Sequence, residues 1–194
     1  MQVDILLSHG YWMAETEVTQ ALWRLVMDGN PSTPRGDELP VNRVSWFQVQ
    51  EFLTRFATRT GVRVRLPSEA EWEYACRAGD LDPAFAAGES MALERAAWYR
   101  VNSGDGVHPA GRRPPNALGL HDLLGNVWEW CDDRYGLYPS TGATDPHGGE
   151  REERVVRGGS WSDQANALRA ANRAALMPGT ASSQIGFRLV IDEQ

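Results

Sequence analysis

The length, composition and charge of the chain exclude several classes of protein. With 194 residues and 42% hydrophobic content, it can bury one substantial core, and we expect a single domain over residues 1–194. The net charge of −7 disfavours electrostatic binding of nucleic acid, and no apolar run reaches the roughly 18 residues that a membrane span needs. We therefore expect a cytoplasmic protein that contacts neither nucleic acid nor membrane, and we expect a monomer.

Three helices are predicted in the first half of the chain, each from a capping residue followed by apolar side chains at helical spacing. The first begins after Thr19. The second opens at Ser45, with Gln48 as its capping-box partner, and the third opens at Ser68, with Glu71 in the same role. These start signals predict a helical N-terminal half.

The remainder of the chain carries weaker signals. The three helices are expected to end at Gly29, Gly61 and Gly79. Residues 80–125 are rich in Gly, Pro, Asn and Asp, which predicts long loops, and residues 136–153 are predicted to form a further polar loop. Short strands are expected at residues 127–130, 155–157 and 187–191. Helices followed by short strands indicate an α+β domain.

Five short segments, in order along the chain, carry a family resemblance. They are residues 17–20 (Glu-Val-Thr-Gln), 65–73 (Arg-Leu-Pro-Ser-Glu-Ala-Glu-Trp-Glu), 125–130 (Gly-Asn-Val-Trp-Glu-Trp), 157–161 (Arg-Gly-Gly-Ser-Trp) and 185–188 (Ile-Gly-Phe-Arg). With them the chain resembles the formylglycine-generating-enzyme (sulfatase-modifying factor) superfamily over nearly its whole length. The resemblance implies a C-type-lectin-like fold, with two or three helices, small antiparallel sheets and long loops.

The cysteine content separates this chain from the catalytic members of that superfamily. In those members two cysteines follow the Gly-Gly-Ser motif, bind copper and oxidise a substrate cysteine to formylglycine, since thiolates are soft ligands for Cu(I). Between Trp161 and Ile185 this sequence has neither cysteine nor histidine. Cys76 and Cys131 lie elsewhere and are expected to be buried free thiols. We therefore expect no copper and no enzymatic activity.

One segment matches the calcium-binding pattern of the family. The resemblance implies ligands at Asp122, Gly125, Val127 and Glu129, with carboxylates from the first and last and backbone carbonyls from the other two. Coordination by oxygen alone suits a structural Ca²⁺. The alternative is that Asp122 caps a turn and Glu129 pairs with an arginine, without an ion. The sequence leaves both open.

Residues 162–184, which we name the display segment, lie between two well-matched motifs but consist mostly of small polar residues and alanine. This arrangement resembles the variable proteins of diversity-generating retroelements, in which a mutagenic reverse transcriptase rewrites adenine-derived codons. The resemblance implies a non-catalytic binding protein, and we expect its unidentified ligand to be a protein. Two alternatives are an accessory domain with a fixed partner and a formylglycine-generating oxidase.

The same resemblance implies which residues of the display segment contact the ligand. Arg169, Asn172 and Arg173 are expected to form a fixed polar network below the surface. The expected contact positions are Ser162, Asp163, Ala165, Ala167, Ala174, Ala175, Leu176, Gly179, Ala181 and Ser183.

Overall fold

A computed structural model describes residues 3–78 and 90–193 of the chain, except for the side chains of residues 90–92. Four α-helices and eight β-strands form the regular structure of these residues. The helices are α1 (Gln20–Val26), α2 (Trp46–Thr60), α3 (Glu69–Cys76) and α4 (Ser90–Ala96). The strands are β1 (Ile5–Leu6), β2 (Tyr11–Met13), β3 (Trp128–Arg134), β4 (Ala143–Thr144), β5 (Arg154–Arg157), β6 (Arg173–Leu176), β7 (Ile185–Gly186) and β8 (Val190–Asp192). A 3₁₀ turn covers Ala165–Ala167. No helix within the described ranges is long and apolar enough to cross a bilayer.

Local sequence determines where the first three helices begin. The Thr19 side chain caps α1 by accepting a backbone N–H of its first turn. Ser45 and Gln48 form a complete capping box at the start of α2, and Ser68 and Glu71 do the same for α3. Each cap satisfies amide groups that would otherwise lack a partner at the helix start. All three predicted starts are confirmed.

The helix ends follow the prediction less closely. Gly61 ends α2 in the left-handed conformation, with φ of 75°, as expected. Helix α1 ends earlier than Gly29, with Met27 as its C-cap, and the expected stop at Gly79 lies outside the described residues. The expectation of loops throughout residues 80–125 was wrong for α4, whose seven residues form a helix within that stretch.

A four-stranded sheet positions the C-terminal half, with strand order β6-β5-β3-β7. Strand β5 is antiparallel to both of its neighbours, β3 and β6, and β7 lies parallel to β3. The strand expected at residues 187–191 overlaps only β8, because residues 187–189 belong to no strand and β7 lies before the expected range. Strand β8 pairs antiparallel with β2. Strands β1 and β4 form a small parallel pair, so the sheets are mixed rather than purely antiparallel.

This sheet separates two hydrophobic clusters. Neighbouring residues of a strand point to opposite faces, so Val155 belongs to the first cluster and Val156 to the second. Helices α1 and α2 contribute to the second cluster, where Trp23 stacks on Phe52 with ring centroids 5.3 Å apart. Helix α3 contributes Trp72 to the first cluster. The chain leaves the sheet at the end of β5, and the display segment that follows returns to the sheet as β6.

Candidate ligand-binding surface

A sharp backbone turn at the end of β5 precedes the display segment. Gly158 and Gly159 have φ values of 96° and 79°. A Cβ atom on Gly158 would lie 2.6 Å from the carbonyl oxygen of Leu123. Only glycine accepts both this conformation and this close approach. The Gly-Gly pair of the family motif is therefore required by geometry.

Hydrogen bonds fasten both ends of the display segment to residues of the family motifs that precede it. The Asp163 Oδ2 atom accepts from Ser160 N at 2.9 Å, from Ser160 Oγ at 2.6 Å and from Trp128 Nε1 at 2.9 Å. At the other end, Trp161 Nε1 donates to the carbonyl oxygen of Ser183 at 3.3 Å. The predicted contact position Asp163 thus has one carboxylate oxygen committed to the scaffold.

The middle of the display segment is anchored from below. Leu168 and Ala170 are fully buried in the first cluster. The buried guanidinium of Arg157 donates to the carbonyl oxygens of Ala170 and Asn172, both at 2.6 Å. Asn172 Nδ2 in turn donates to the carbonyl oxygen of Ala167 at 2.7 Å. The expected scaffold role of Asn172 agrees with these contacts.

Arg173 and Arg169 differ in their surroundings, although both were expected to be scaffold. The Arg173 guanidinium lies between the rings of Tyr135 and Tyr138, 4.3 and 4.2 Å from their centroids, and pairs with Glu69 at 2.6 Å. Arg169 is exposed, and among residues 3–78 and 90–193 it donates only to the Asn166 carbonyl, three residues earlier in its own loop. The polar network therefore includes Arg173 but not Arg169.

None of the predicted contact positions is fully buried. Gly179 and Ala181 are exposed, and the others are half-buried: Ser162, Asp163, Ala165, Ala167, Ala174, Ala175, Leu176 and Ser183. Ala165 and Ala167 pack beside the first cluster, whereas Ala174 and Leu176 pack beside the second. The ten positions thus extend over a 3₁₀ turn, an edge strand and the following loop. Their contact with a ligand stays a prediction.

Side chains from α2 and β5 border the last part of the display segment, and no sequence pattern predicted their contact with it. Trp46, at the start of α2, donates its backbone N–H to the carbonyl oxygen of Pro178 at 2.9 Å. The Arg154 guanidinium lies 3.8 Å from the centre of the Trp46 ring. The adjacent Phe47 and Met177 are 59% and 51% exposed. These contacts join residues that are far apart in sequence.

Glu129, one of the predicted calcium ligands, forms a fully buried ion pair. Its Oε1 atom lies 2.6 Å from Arg188 Nη2, and its Oε2 atom accepts from Arg188 Nε and Trp72 Nε1, both at 2.7 Å. Neither Glu129 nor Arg188 has any exposed surface. The alternative that we considered for Glu129, a pair with an arginine, is therefore present in the structure.

Asp122 fits a hard cation better than Glu129 does. Its Oδ2 atom accepts from Gly111 N at 2.6 Å, while its Oδ1 atom is buried and has no partner among the described residues. Glu17 Oε2 is buried in the same way, and burial together with the charges of Asp122 and Glu129 raises the pKa of Glu17 well above its usual range. No group of three or more His, Cys, Asp or Glu within the described residues is arranged around a metal position.

The sequence of residues 2–193 matches the family model described as Sulfatase-modifying factor enzyme 1-like domain. The chain belongs to this family. The formylglycine-generating enzyme of Streptomyces coelicolor is 35% identical over 171 residues, which are 79% of this chain and 52% of that enzyme. The chain therefore spans about half the length of this curated relative.

Solved structures confirm the α+β, C-type-lectin-like fold that the family resemblance implied. Treponema denticola variable protein 1 superposes with a TM-score of 0.89 at 30% identity, over 94% of this chain and 84% of that protein. PvdO from Pseudomonas aeruginosa gives a TM-score of 0.82 at 26% identity, over 95% and 80%. This member of the sulfatase-modifying factor family is thus similar both to the formylglycine-generating enzyme of Streptomyces coelicolor and to Treponema denticola variable protein 1.

The two thiols of this family member are buried inside the fold. Cys76 and Cys131 are free and fully buried, as expected. Burial raises the pKa of Cys76 to about 12 and raises that of Cys131 as well. Both groups therefore carry their protons at neutral pH, whereas a copper ligand must be a thiolate.

Proposed function

We propose that this chain is a non-catalytic ligand-binding protein that presents the display segment to a protein ligand. One observation carries the proposal: most predicted contact side chains are Ala, Ser or Gly, keep some exposure and lie on a scaffold held by other residues. Substitutions at such surface positions usually change stability by only about 0.5 kcal/mol. The side chains of this surface can therefore vary while Arg157, Asn172 and Arg173 maintain its shape.

The proposal includes diversification of the display segment by a diversity-generating retroelement. The similarity to Treponema denticola variable protein 1 over 94% of the chain supports it. The position of Ala174, Ala175 and Leu176 on β6 also supports it, because β6 is an edge strand that pairs with only one neighbour. Edge strands accept substitutions that the centre of a sheet does not. A cytoplasmic location, in which free thiols persist, is part of the proposal.

The experiment that tests diversification is sequencing of the DNA next to this gene. We expect a near-copy of the codons for residues 155–190 beside a gene for a reverse transcriptase. The copy should differ from the gene only where the copy has adenines, and these differences would identify the variable positions. Finding neither copy nor transcriptase would favour the alternative of an accessory domain with a fixed partner.

The oxidase alternative is tested by activity. The S. coelicolor relative is named as a formylglycine-generating enzyme, so the purified chain should be incubated with copper and a cysteine-containing sulfatase peptide. We expect no formylglycine in the product by mass spectrometry, because the display segment contains no cysteine. Copper-dependent conversion of the peptide would contradict a non-catalytic function.

Structural Ca²⁺ at Asp122, Gly125, Val127 and Glu129 is a separate proposal. The buried Oδ1 atom of Asp122, which has no hydrogen-bond partner among the described residues, supports it, and the pairing of Glu129 with Arg188 opposes it. A ligand that binds only the native state raises the melting temperature. We expect saturating calcium to raise Tm, EGTA to reverse the shift, and Asp122→Ala to abolish it. An unchanged Tm at saturating calcium would rule out the site.

A further inference from the structure

A surface of aromatic and arginine side chains adjoins the exposed end of the display segment, which contributes Met177 to it. We define it as Arg43, Trp46, Phe47, Arg154 and Met177. The hydrogen bond from Trp46 N to the Pro178 carbonyl brings the start of α2 next to Met177. Likewise, Arg43 N donates to the carbonyl oxygen of Ser182 at 2.9 Å. The surface is therefore continuous with the display segment at two points.

The apolar part of this surface is exposed to solvent. Phe47 and Met177 each expose more than half of their surface. The Trp46 ring stands at a centroid distance of 6.0 Å from Phe47 in an edge-to-face arrangement and carries Arg154 on its face. Aromatic, Met and Arg side chains are enriched at protein interfaces and dominate their binding energy. The ten predicted contact positions include no aromatic, Met or Arg side chain.

The charged part of the surface is positive, although the protein as a whole carries −7. Arg43 and Arg134 are exposed, and Arg134 is the cross-strand neighbour of Arg154. Within residues 3–78 and 90–193, none of these three arginines forms a salt bridge, in contrast to Arg24, Arg55 and Arg65. The nearby Asp132 carboxylate pairs with His147 instead.

A helix terminus adds to this positive character. Helix α2 presents its N-terminus here and has no acidic residue in its first turn, so the positive end of its dipole is not neutralised by a side chain. An acidic partner would meet complementary charge at Arg43, Arg134 and Arg154.

We propose that this surface binds an acidic segment of the protein ligand, with an apolar side chain against Phe47 and Met177 and carboxylates beside Arg43 and Arg154. The inference rests on the proposed function, since it names the chemistry of the same ligand. The fixed side chains supply affinity that all variants of the display segment share. The varying side chains at Leu176, Gly179 and Ala181 then decide which acidic segment is preferred.

The test is selection of a phage-displayed library of random dodecapeptides on the purified chain at low salt. We expect enriched peptides to carry an excess of Asp and Glu around an aromatic or aliphatic residue. Phe47→Ala and Arg43→Glu should each weaken binding of an enriched peptide about tenfold, as loss of an interface anchor does. The matched controls are Leu118→Ala and Arg95→Glu, which alter exposed residues outside this surface and should leave affinity within about twofold.

The outcomes separate this inference from the proposed function. Enriched peptides without an acidic excess, or peptides that lose binding with Ala181→Trp but not with Phe47→Ala or Arg43→Glu, would overturn the inference and leave the display segment as the binding surface. Failure to enrich any peptide would count against the proposed function itself. Enriched acidic peptides that respond to Phe47→Ala and Arg43→Glu, but not to the two controls, would establish the inference.

Discussion

At the scale of single residues, three of the five family motifs meet in one buried network of hydrogen bonds. Trp72 comes from the motif at residues 65–73, Glu129 from that at 125–130, and Arg188 from that at 185–188. The Glu129 Oε1 atom accepts a hydrogen bond from Arg188, and its Oε2 atom accepts one from Arg188 and one from Trp72. Three segments that are distant in sequence are therefore joined by a single carboxylate.

Arg188→Met is expected to destabilise the protein strongly. The substitution leaves the Glu129 carboxylate buried without its cation, and breaking one partner of a buried ion pair costs about 3–5 kcal/mol. Urea denaturation should show this loss as a lower free energy of unfolding. The double variant Arg188→Met/Glu129→Gln should recover part of it, because no uncompensated charge remains.

The control for Arg188→Met is Arg24→Met. Arg24 pairs with Asp37 at 2.7 Å, but both side chains are largely exposed, so its loss should cost less than about 1 kcal/mol. Equal effects of the two substitutions would show that burial of the Glu129–Arg188 pair does not determine its contribution.

Sequence alone predicted the residues of this network but not their connections. The Gly-Asn-Val-Trp-Glu-Trp and Ile-Gly-Phe-Arg motifs were evident, yet Glu129 could equally have been a calcium ligand, since a carboxylate suits either partner. The stacking of Arg154 on Trp46 left no sequence signal at all. Both contacts arise from tertiary packing, which local patterns do not encode.

At the scale of elements, the predictable parts were those whose signals are local. Capping side chains act within one helical turn, so Thr19, Ser45 and Ser68 were sufficient to place three helix starts. Helix α4 was missed because its neighbourhood is rich in loop-forming residues. Strand β7 was missed, and the strand expected at residues 187–191 overlaps only β8, because the pairing of these short strands with β3 and β2 is long-range.

Gly158→Ala, just before the display segment, should destabilise the protein, whereas Gly179→Ala, near the end of the display segment, should change its stability little. A Cβ at Gly158 meets the Leu123 carbonyl in a left-handed backbone, which strains the turn by more than about 1 kcal/mol. Gly179 has no atom within 4 Å of its Cβ position, so alanine there should change stability by less than about 0.5 kcal/mol. Thermal denaturation of both variants measures the difference. A large loss for Gly179→Ala would contradict its assignment as a variable surface position.

The loop at residues 136–153 should contribute to stability in a pH-dependent manner through His147. Its hydrogen bond with Asp132 raises the pKa of His147 and lowers that of Asp132. The raised pKa means that the stabilisation is fully present below the unfolded value of about 6.5 and is lost as pH rises through the folded value. The lowered pKa of Asp132 keeps the carboxylate ionised until pH falls below its ordinary range.

His147→Ala is therefore expected to destabilise the protein more at about pH 5.5 than at about pH 8.5. Because both side chains are partly exposed, the difference should stay below about 1 kcal/mol. Urea denaturation of both proteins at the two pH values measures it, with Asp132→Asn as the matched variant. An effect that is larger at the higher pH would contradict the assigned ion pair.

At the scale of the whole molecule, the display segment rests on both hydrophobic clusters. Ala165 and Ala167 pack beside the first cluster, and Ala174 and Leu176 pack beside the second. The two clusters share the four-stranded sheet, in which adjacent residues of β5 face opposite sides. The shape of the display segment therefore depends on the entire core, and we expect the core to unfold as one cooperative unit.

Phe52→Ala tests this coupling. Phe52 is fully buried, stacks on Trp23 and meets Phe187 edge to face, so its loss should cost about 3–5 kcal/mol. If the clusters unfold together, the urea midpoints by tryptophan fluorescence and by far-UV circular dichroism should fall equally. Phe47→Ala, on the exposed face of the same helix, should leave both midpoints nearly unchanged. Two separate transitions in Phe52→Ala would show instead that the first cluster, and the half of the display segment packed on it, can remain folded without the second.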